Sequence, residues 1–125
     1  MPSVIPRWGS TGRTVPELRL ASGIWVAAYL RRLALADIPA YVIARGDDTA
    51  GAVLIKLATL DGQARAFQRS FDLATGQRVW MTLAEGAEPE VDAAIARARG
   101  FDPDLWVIEI EDRAGRHLLD EPGLS

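Results

Sequence analysis

The segment Leu105-Trp106-Val107-Ile108-Glu109-Ile110 constrains this chain more than any other. Its β-branched, aromatic and aliphatic residues stand between Asp102-Pro103-Asp104 and Glu111-Asp112-Arg113-Ala114-Gly115, turn formers that bound a pleated run. Side chains alternate along a strand, so Trp106, Ile108 and Ile110 face one way and Leu105, Val107, Glu109 and Glu111 the other. Both faces are therefore at least partly apolar. A strand that needs cover on two sides belongs inside a sheet, and the simplest arrangement is three layers with a helix on each face.

Two stretches have helical character. Ser22 is a plausible N-cap for a helix that stops before Pro39, because Ile38 precedes a proline. Val26, Leu30, Leu33 and Asp37 fall on one stripe, but Ile24, Trp25, Ala27, Ala28, Tyr29, Leu35 and Ala36 occupy most of the remaining circumference. A helix so apolar predicts burial on more than one side, against the sheet and against another helix or a second subunit. Trp25 and Tyr29, one turn apart, read either as core or, with Arg31 and Arg32, as a candidate interface. The two arginines most simply satisfy the helix's C-terminal carbonyls; an anion clamp is the sharper alternative. The second helix starts at Pro89, with Val91, Ala94, Ile95 and Ala98 as its apolar stripe. Glu88, Glu90 and Asp92 crowd its first turn, Arg97 and Arg99 its last, and Gly100 is the expected C-cap.

Between the helices lie strand-like runs at 41–45, 52–60, 63–71 and 78–83. A loop at 46–51, the Asp61-Gly62 turn and the turn after Phe71 connect them. Connections this short predict an antiparallel meander. The expectation is one α+β domain: a mainly antiparallel sheet of about five strands, meander plus C-terminal strand, packed with two helices. Residues 1–17, with Pro2, Pro6 and Pro16 and two arginines, read as a flexible basic arm. Residues 18–120 form the domain and 121–125 a frayed tail.

Composition narrows the function. With no cysteine among 125 residues, thiolate nucleophiles, disulfides and zinc ribbons are excluded, which is compatible with a cytoplasmic location. A net charge of −3 argues against a dedicated nucleic-acid binder. The longest apolar run, Ile24 to Leu30, is cut by Arg31-Arg32 and is too short to span a bilayer.

The one dense group of site-type residues is Glu109, Glu111, Asp112, Arg113 and His117. Its carboxylates suit a hard divalent cation or an acid–base pair. The plainer reading sets Glu109 and Glu111 opposite Arg65 and Arg69 as cross-strand pairs. His117 is the only histidine, too few for zinc without cysteine, and no serine sits in a nucleophile elbow. The order of elements is partly that of acetyl-coenzyme A N-acetyltransferases. Yet the span Leu83-Ala84-Glu85-Gly86-Ala87-Glu88-Pro89, where they grip pyrophosphate, is acidic and has one glycine.

Arg19 to Arg32 (RLASGIWVAAYLRR) and Phe101 to Asp120 (FDPDLWVIEIEDRAGRHLLD) resemble the two signature blocks of an alphaproteobacterial domain-of-unknown-function family, number fourteen-ninety-one. The similarity runs over about residues 18–120. It implies a small bacterial cytosolic protein and transfers no catalytic role, metal or cofactor to any residue. The resulting expectation is a non-catalytic interaction or accessory module that binds a protein partner or a second copy of itself. The alternative is a small-ligand or metal site, or an enzyme, on the acidic C-terminal strand. A site would gather those groups around a pocket with unpaired carboxylates, whereas a binding module would show paired carboxylates and an apolar patch elsewhere.

Overall fold

The structure, a computed structural model, describes residues 21–71, 74–76 and 78–124. The proposed N-terminal arm lies outside these residues. Two helices, α1 (Ser22–Leu35) and α2 (Glu88–Phe101), accompany five strands: β1 (Ala40–Ala44), β2 (Val53–Ala58), β3 (Gln63–Phe71), β4 (Arg78–Ala87) and β5 (Trp106–Glu111). The strands form one mixed sheet in the order β1-β5-β2-β3-β4. All neighbours are antiparallel except β2 and β5, which are parallel.

The two-sided apolarity of β5 is resolved as its sequence demands, by an interior place and two cores. Trp106, Ile108 and Ile110 join Val53, Ile55, Leu57 and Phe67 beneath Trp25, Val26, Tyr29 and Leu33 of α1. Leu105 and Val107 join Leu54, Ala64 and Ala66 beneath Val91 and Ile95 of α2. The molecule is thus a three-layer α/β/α sandwich within the α+β class. Every residue of β2 is buried, which fits its position between β5 and β3.

The four-strand meander expected over 41–83 is not formed. Only β2, β3 and β4 meander, and β5 is inserted between β1 and β2. The reason is burial: β5 is apolar on both faces, while β1 has Tyr41, Val42 and Ile43 about half exposed and takes the edge. The loop at 46–51 is therefore a crossover over the end of β5, not a hairpin. Asp47 N–H donates to Asp104 O (3.0 Å), Trp106 N–H to Ala52 O (2.8 Å) and the Trp106 indole to Asp47 O (2.8 Å).

Element ends also differ from expectation. Ala21 rather than Ser22 is the N-cap of α1, and the Ser22 hydroxyl donates to Gly51 O instead (2.6 Å). Gly100 lies inside α2, which ends at Phe101 with Asp102 as its C-cap. Strand β4 runs to Ala87 and passes directly into α2, so no loop stands where an acyltransferase would hold pyrophosphate. Residues 121–124 are packed, not frayed. Leu124 is buried, its carbonyl accepts the Trp80 indole N–H (3.2 Å), and Arg32 holds Glu121 (2.7 Å) and the Pro122 carbonyl (2.9 Å).

Candidate functional site

The acidic strand meets a residue that its own segment does not reveal. Lys56, the only lysine in the chain, lies on the α2-facing side of β2 and is 5% exposed. The parallel register places it beside Glu109, and α2 brings two further carboxylates from above. The Lys56 ammonium lies 2.6 Å from Glu88, 2.7 Å from Asp92 and 3.5 Å from Glu109. Burial alone would pull its pKa down, but hydrogen bonds to Asp92 and Glu88, with the charge of Glu109, more than offset that and hold it above the usual lysine range. Protonated at neutral pH and held by three carboxylates, the ammonium has no free electron pair with which to act as a nucleophile or a base there. It is an ionic pin that fixes the start of α2 to the sheet.

Glu109 therefore pairs with Lys56, not with Arg65 or Arg69. Those arginines share a side of β3 with Phe67, and Phe67 packs in the core beneath α1, on the opposite face of the sheet from Glu109.

The other site-type residues do not converge on Glu109. Glu111 lies 3.4 Å from the Tyr41 hydroxyl at the sheet edge. Asp112 accepts from the Arg116 backbone (2.7 Å) and from the Arg116 guanidinium (2.9 and 3.1 Å), and these bonds hold its carboxyl below the usual range. Arg113 is exposed at the turn. His117 is on the α1 side, its ring edge-on to Phe67 (4.9 Å between centroids). Its Nδ1 accepts from the Leu119 N–H (3.0 Å), and its carbonyl accepts from the Tyr29 hydroxyl (2.8 Å). Among the described residues, no group of three or more acidic or histidine side chains is arranged to hold a metal ion.

Trp25 and Tyr29 are core residues, 3% and 0% exposed and stacked with centroids 4.9 Å apart. Arg32 is engaged with the C-terminal segment, and Arg31 is exposed. The surface that is left apolar lies elsewhere. Ile24 is 59% exposed and Leu35 72%, so α1 is buried on its sheet side only. Beside it Tyr41, Val42 and Ile43 of β1 are exposed by 49%, 45% and 49%. Between α1 and β1 lies a cleft of about 610 Å³ lined by residues that include Ile24, Ala27, Leu30 and Val42. Arg45 and Asp48, paired at 3.0 Å, also line it. Of the candidate interface residues Trp25, Tyr29, Arg31 and Arg32, the two aromatic ones are taken up by the core. The solvent-facing apolar residues of α1, Ile24 and Leu35, follow once the stripe through Val26, Tyr29 and Leu33 is given to the sheet.

Fold and side-chain arrangement together define a small α/β/α protein in which Lys56 holds Glu109, Arg116 holds Asp112, and the edge strand β1 is apolar and half exposed. The chain belongs to the family described as "Protein of unknown function (DUF1491)", which it matches over residues 20–120. It is similar to a DUF1491 family protein from Caulobacter crescentus CB15. The crystal structure of that protein shares 46% identity and a TM-score of 0.73, covering 82% of this chain and 95% of that one. An NMR structure of a DUF1491 family protein from the same organism gives 47%, 0.72, 82% and 94%. A solution structure of an A. tumefaciens protein is 32% identical with a TM-score of 0.64, covering 75% and 86%. No curated protein matches the chain. Among the described residues, no helix is long and apolar enough to cross a membrane.

Proposed function

We propose that this protein is a non-catalytic accessory module of the cytoplasm that captures an extended segment of a partner protein along β1. The observation that carries the reading is the open edge itself. Ala40-Tyr41-Val42-Ile43-Ala44 has no charged residue, is hydrogen-bonded to β5 on one side only, and flanks the cleft under Ile24 and Ala27. Edge strands are ordinarily blunted by charge. Strand addition takes affinity from the free backbone groups and specificity from alternate side chains seated in neighbouring pockets. The cleft offers such a seat to an apolar side chain. The paired states of Glu109 and Asp112 support the same reading, because they leave the acidic strand little free chemistry. The absence of cysteine is compatible with the cytoplasm.

The test is site-specific photo-crosslinking in cells, with a benzophenone side chain in place of Tyr41 and, as a control, of the exposed Arg97 on α2. A discrete adduct from position 41 that is absent from position 97, and lost on adding Val42→Lys, supports the reading. No adduct at 41, or the same adducts from both positions, refutes it. An adduct of twice the chain's mass replaces the partner with a second copy of the chain, a pairing that the near-palindromic Ala-Tyr-Val-Ile-Ala would accept.

A further inference from the structure

Residues 117–124 cross the α1 side of the sheet and are held at both ends. At the front, His117 O accepts the Tyr29 hydroxyl (2.8 Å). At the rear, Leu124 is buried and its carbonyl accepts the Trp80 indole N–H (3.2 Å). Between these anchors the imidazole of His117 closes the turn, because its Nδ1 accepts the Leu119 N–H (3.0 Å). Leu118, inside that closure, has φ +63°, a conformation that a bulky side chain resists and that only its surroundings maintain.

The rear anchor also holds Trp80 over a group that gains from water. The Arg69 guanidinium lies between the rings of Trp25 (4.5 Å to the centroid) and Trp80 (5.0 Å). Its Nε and Nη2 are buried and have no hydrogen-bond partner among the described residues. Buried donors left unpaired are costly, and water that reached them would satisfy both. The closed turn therefore carries two local costs, the Leu118 backbone and the Arg69 donors, that opening would relieve.

The imidazole can hold the turn in one protonation state only. Because Nδ1 accepts the Leu119 N–H, the proton of the neutral ring is on Nε2. A second proton makes both nitrogens donors, so that Nδ1–H would face the Leu119 N–H. The charged groups around the ring are Asp120 on the same turn, Arg65 of β3, and Arg78 of β4, which has a partner of its own. From α1 comes Tyr29, kept neutral by burial. Burial, first, disfavours the imidazolium; Asp120 favours it and Arg65 disfavours it, and the balance holds the His117 pKa below its ordinary value. The added proton thus favours the open turn.

We propose that residues 118–124 are a strap latched by the neutral His117 ring and released when that ring gains a proton. On release Leu119 and Leu124 leave the core, and the face formed by Trp80 and Arg69 opens to water while the sheet stays folded. Local opening of this kind is a property of segments held by few contacts at the edge of a cooperative core.

The experiment measures hydrogen exchange of amides and indoles in the ¹⁵N-labelled full chain by NMR between pH 7.5 and pH 5.0, as protection relative to the intrinsic rate at each pH. The His117 imidazole is titrated in the same samples, and stopping at pH 5.0 leaves the Glu121 carboxylate largely ionised. Protection of the Leu119 and Leu124 amides and of the Trp80 indole should fall by about threefold or more as the ring titrates, while Ile55 and Ile108 keep theirs. In His117→Gln the protection of the strap, whatever its level, should no longer depend on pH. Asp120→Asn removes the carboxylate that favours the imidazolium, so it should lower the imidazole midpoint and enlarge the fall. The proposal is overturned if strap protection stays level in wild type, falls equally in His117→Gln, or falls together with that of Ile55 and Ile108. A fall that Asp120→Asn leaves unchanged or makes smaller overturns it as well.

Discussion

Lys56 and Glu109 stand side by side on the parallel strands β2 and β5, with Nζ and Oε1 3.5 Å apart, and the same ammonium holds Glu88 and Asp92 of α2. Three segments far apart in sequence converge on one buried charge. The sheet can thus carry a lysine at its centre, and the first turn of α2 is fixed over it.

Lys56→Met should destabilise the protein by about 2–3 kcal/mol at pH 7. It leaves three carboxylates crowded without their cation, although their partial exposure keeps the loss below that of a fully buried pair. The folded pKa of Lys56 lies above its ordinary 10.5, so its contribution is fully present below about pH 10.5 and is lost as pH climbs through the higher folded value. Urea unfolding at pH 7 and at pH 9 should therefore give the same difference between variant and wild type. A loss under about 0.5 kcal/mol would return the cluster to the class of surface ion pairs.

The pin also marks where the sequence stops being legible. Periodicity located the helices and strands, and the two-sided apolarity of Leu105 to Ile110 implied the three layers. Strand order was not legible in the same way, since a six-residue connection at 46–51 reads as a hairpin unless burial of β5 is weighed against exposure of β1. The cross-strand pairing of Glu109 with Arg65 and Arg69 that the sequence suggests does not form, because those arginines lie on the other face of the sheet. Only the parallel register of β2 with β5 turns Lys56 toward Glu109. A lone lysine within Val53-Leu54-Ile55-Lys56-Leu57-Ala58 was the available signal, because an ammonium in so apolar a strand requires carboxylates from somewhere. Leu124 was missed for a similar reason: its partner Trp80 is 44 residues away.

His117 gives a direct pH readout because it is the only histidine. Burial first, with Arg65 adding to it, depresses its folded pKa below the ordinary 6.5. Its contribution to stability is therefore complete above about pH 6.5 and is lost as pH falls through the folded value. NMR titration of the imidazole should give a midpoint below 6.5, and His117→Gln should flatten the stability profile between pH 7 and pH 5. A midpoint above 6.5 would mean that Asp120, not burial, governs the ring.

Removal of residues 121–125 should cost about 2 kcal/mol. Exposing the site of a fully buried leucine costs about 1.5–3 kcal/mol, and the lost indole hydrogen bond about 1 more. The released chain entropy offsets part of that. The ion pair of Arg32 with Glu121, about two-fifths exposed on both sides, adds little. Tryptophan fluorescence should shift as Trp80 loses its cover. An unchanged melting temperature would show that the C-terminal segment is dispensable.

Gly51 and Gly62 separate two uses of glycine. A Cβ on Gly51 would lie 2.6 Å from Asp104 O, 2.7 Å from Asp47 O and 2.8 Å from Asp47 N, all backbone atoms in the crossover that seals the end of β5. Gly62 has φ +87° in the β2–β3 turn and open space around its Cβ position. Gly51→Ala should therefore cost about 2–3 kcal/mol through overpacking, since neither neighbouring segment can yield without breaking the hydrogen bonds of Trp106 and Asp47. Gly62→Ala should cost about 1 kcal/mol through backbone strain alone. Asparagine tolerates the left-handed region, so Gly62→Asn should recover part of that loss while Gly51→Asn should be worse than Gly51→Ala. Chemical denaturation of the four variants checks the pattern, and equal rescue by asparagine at both sites would refute the steric account of Gly51.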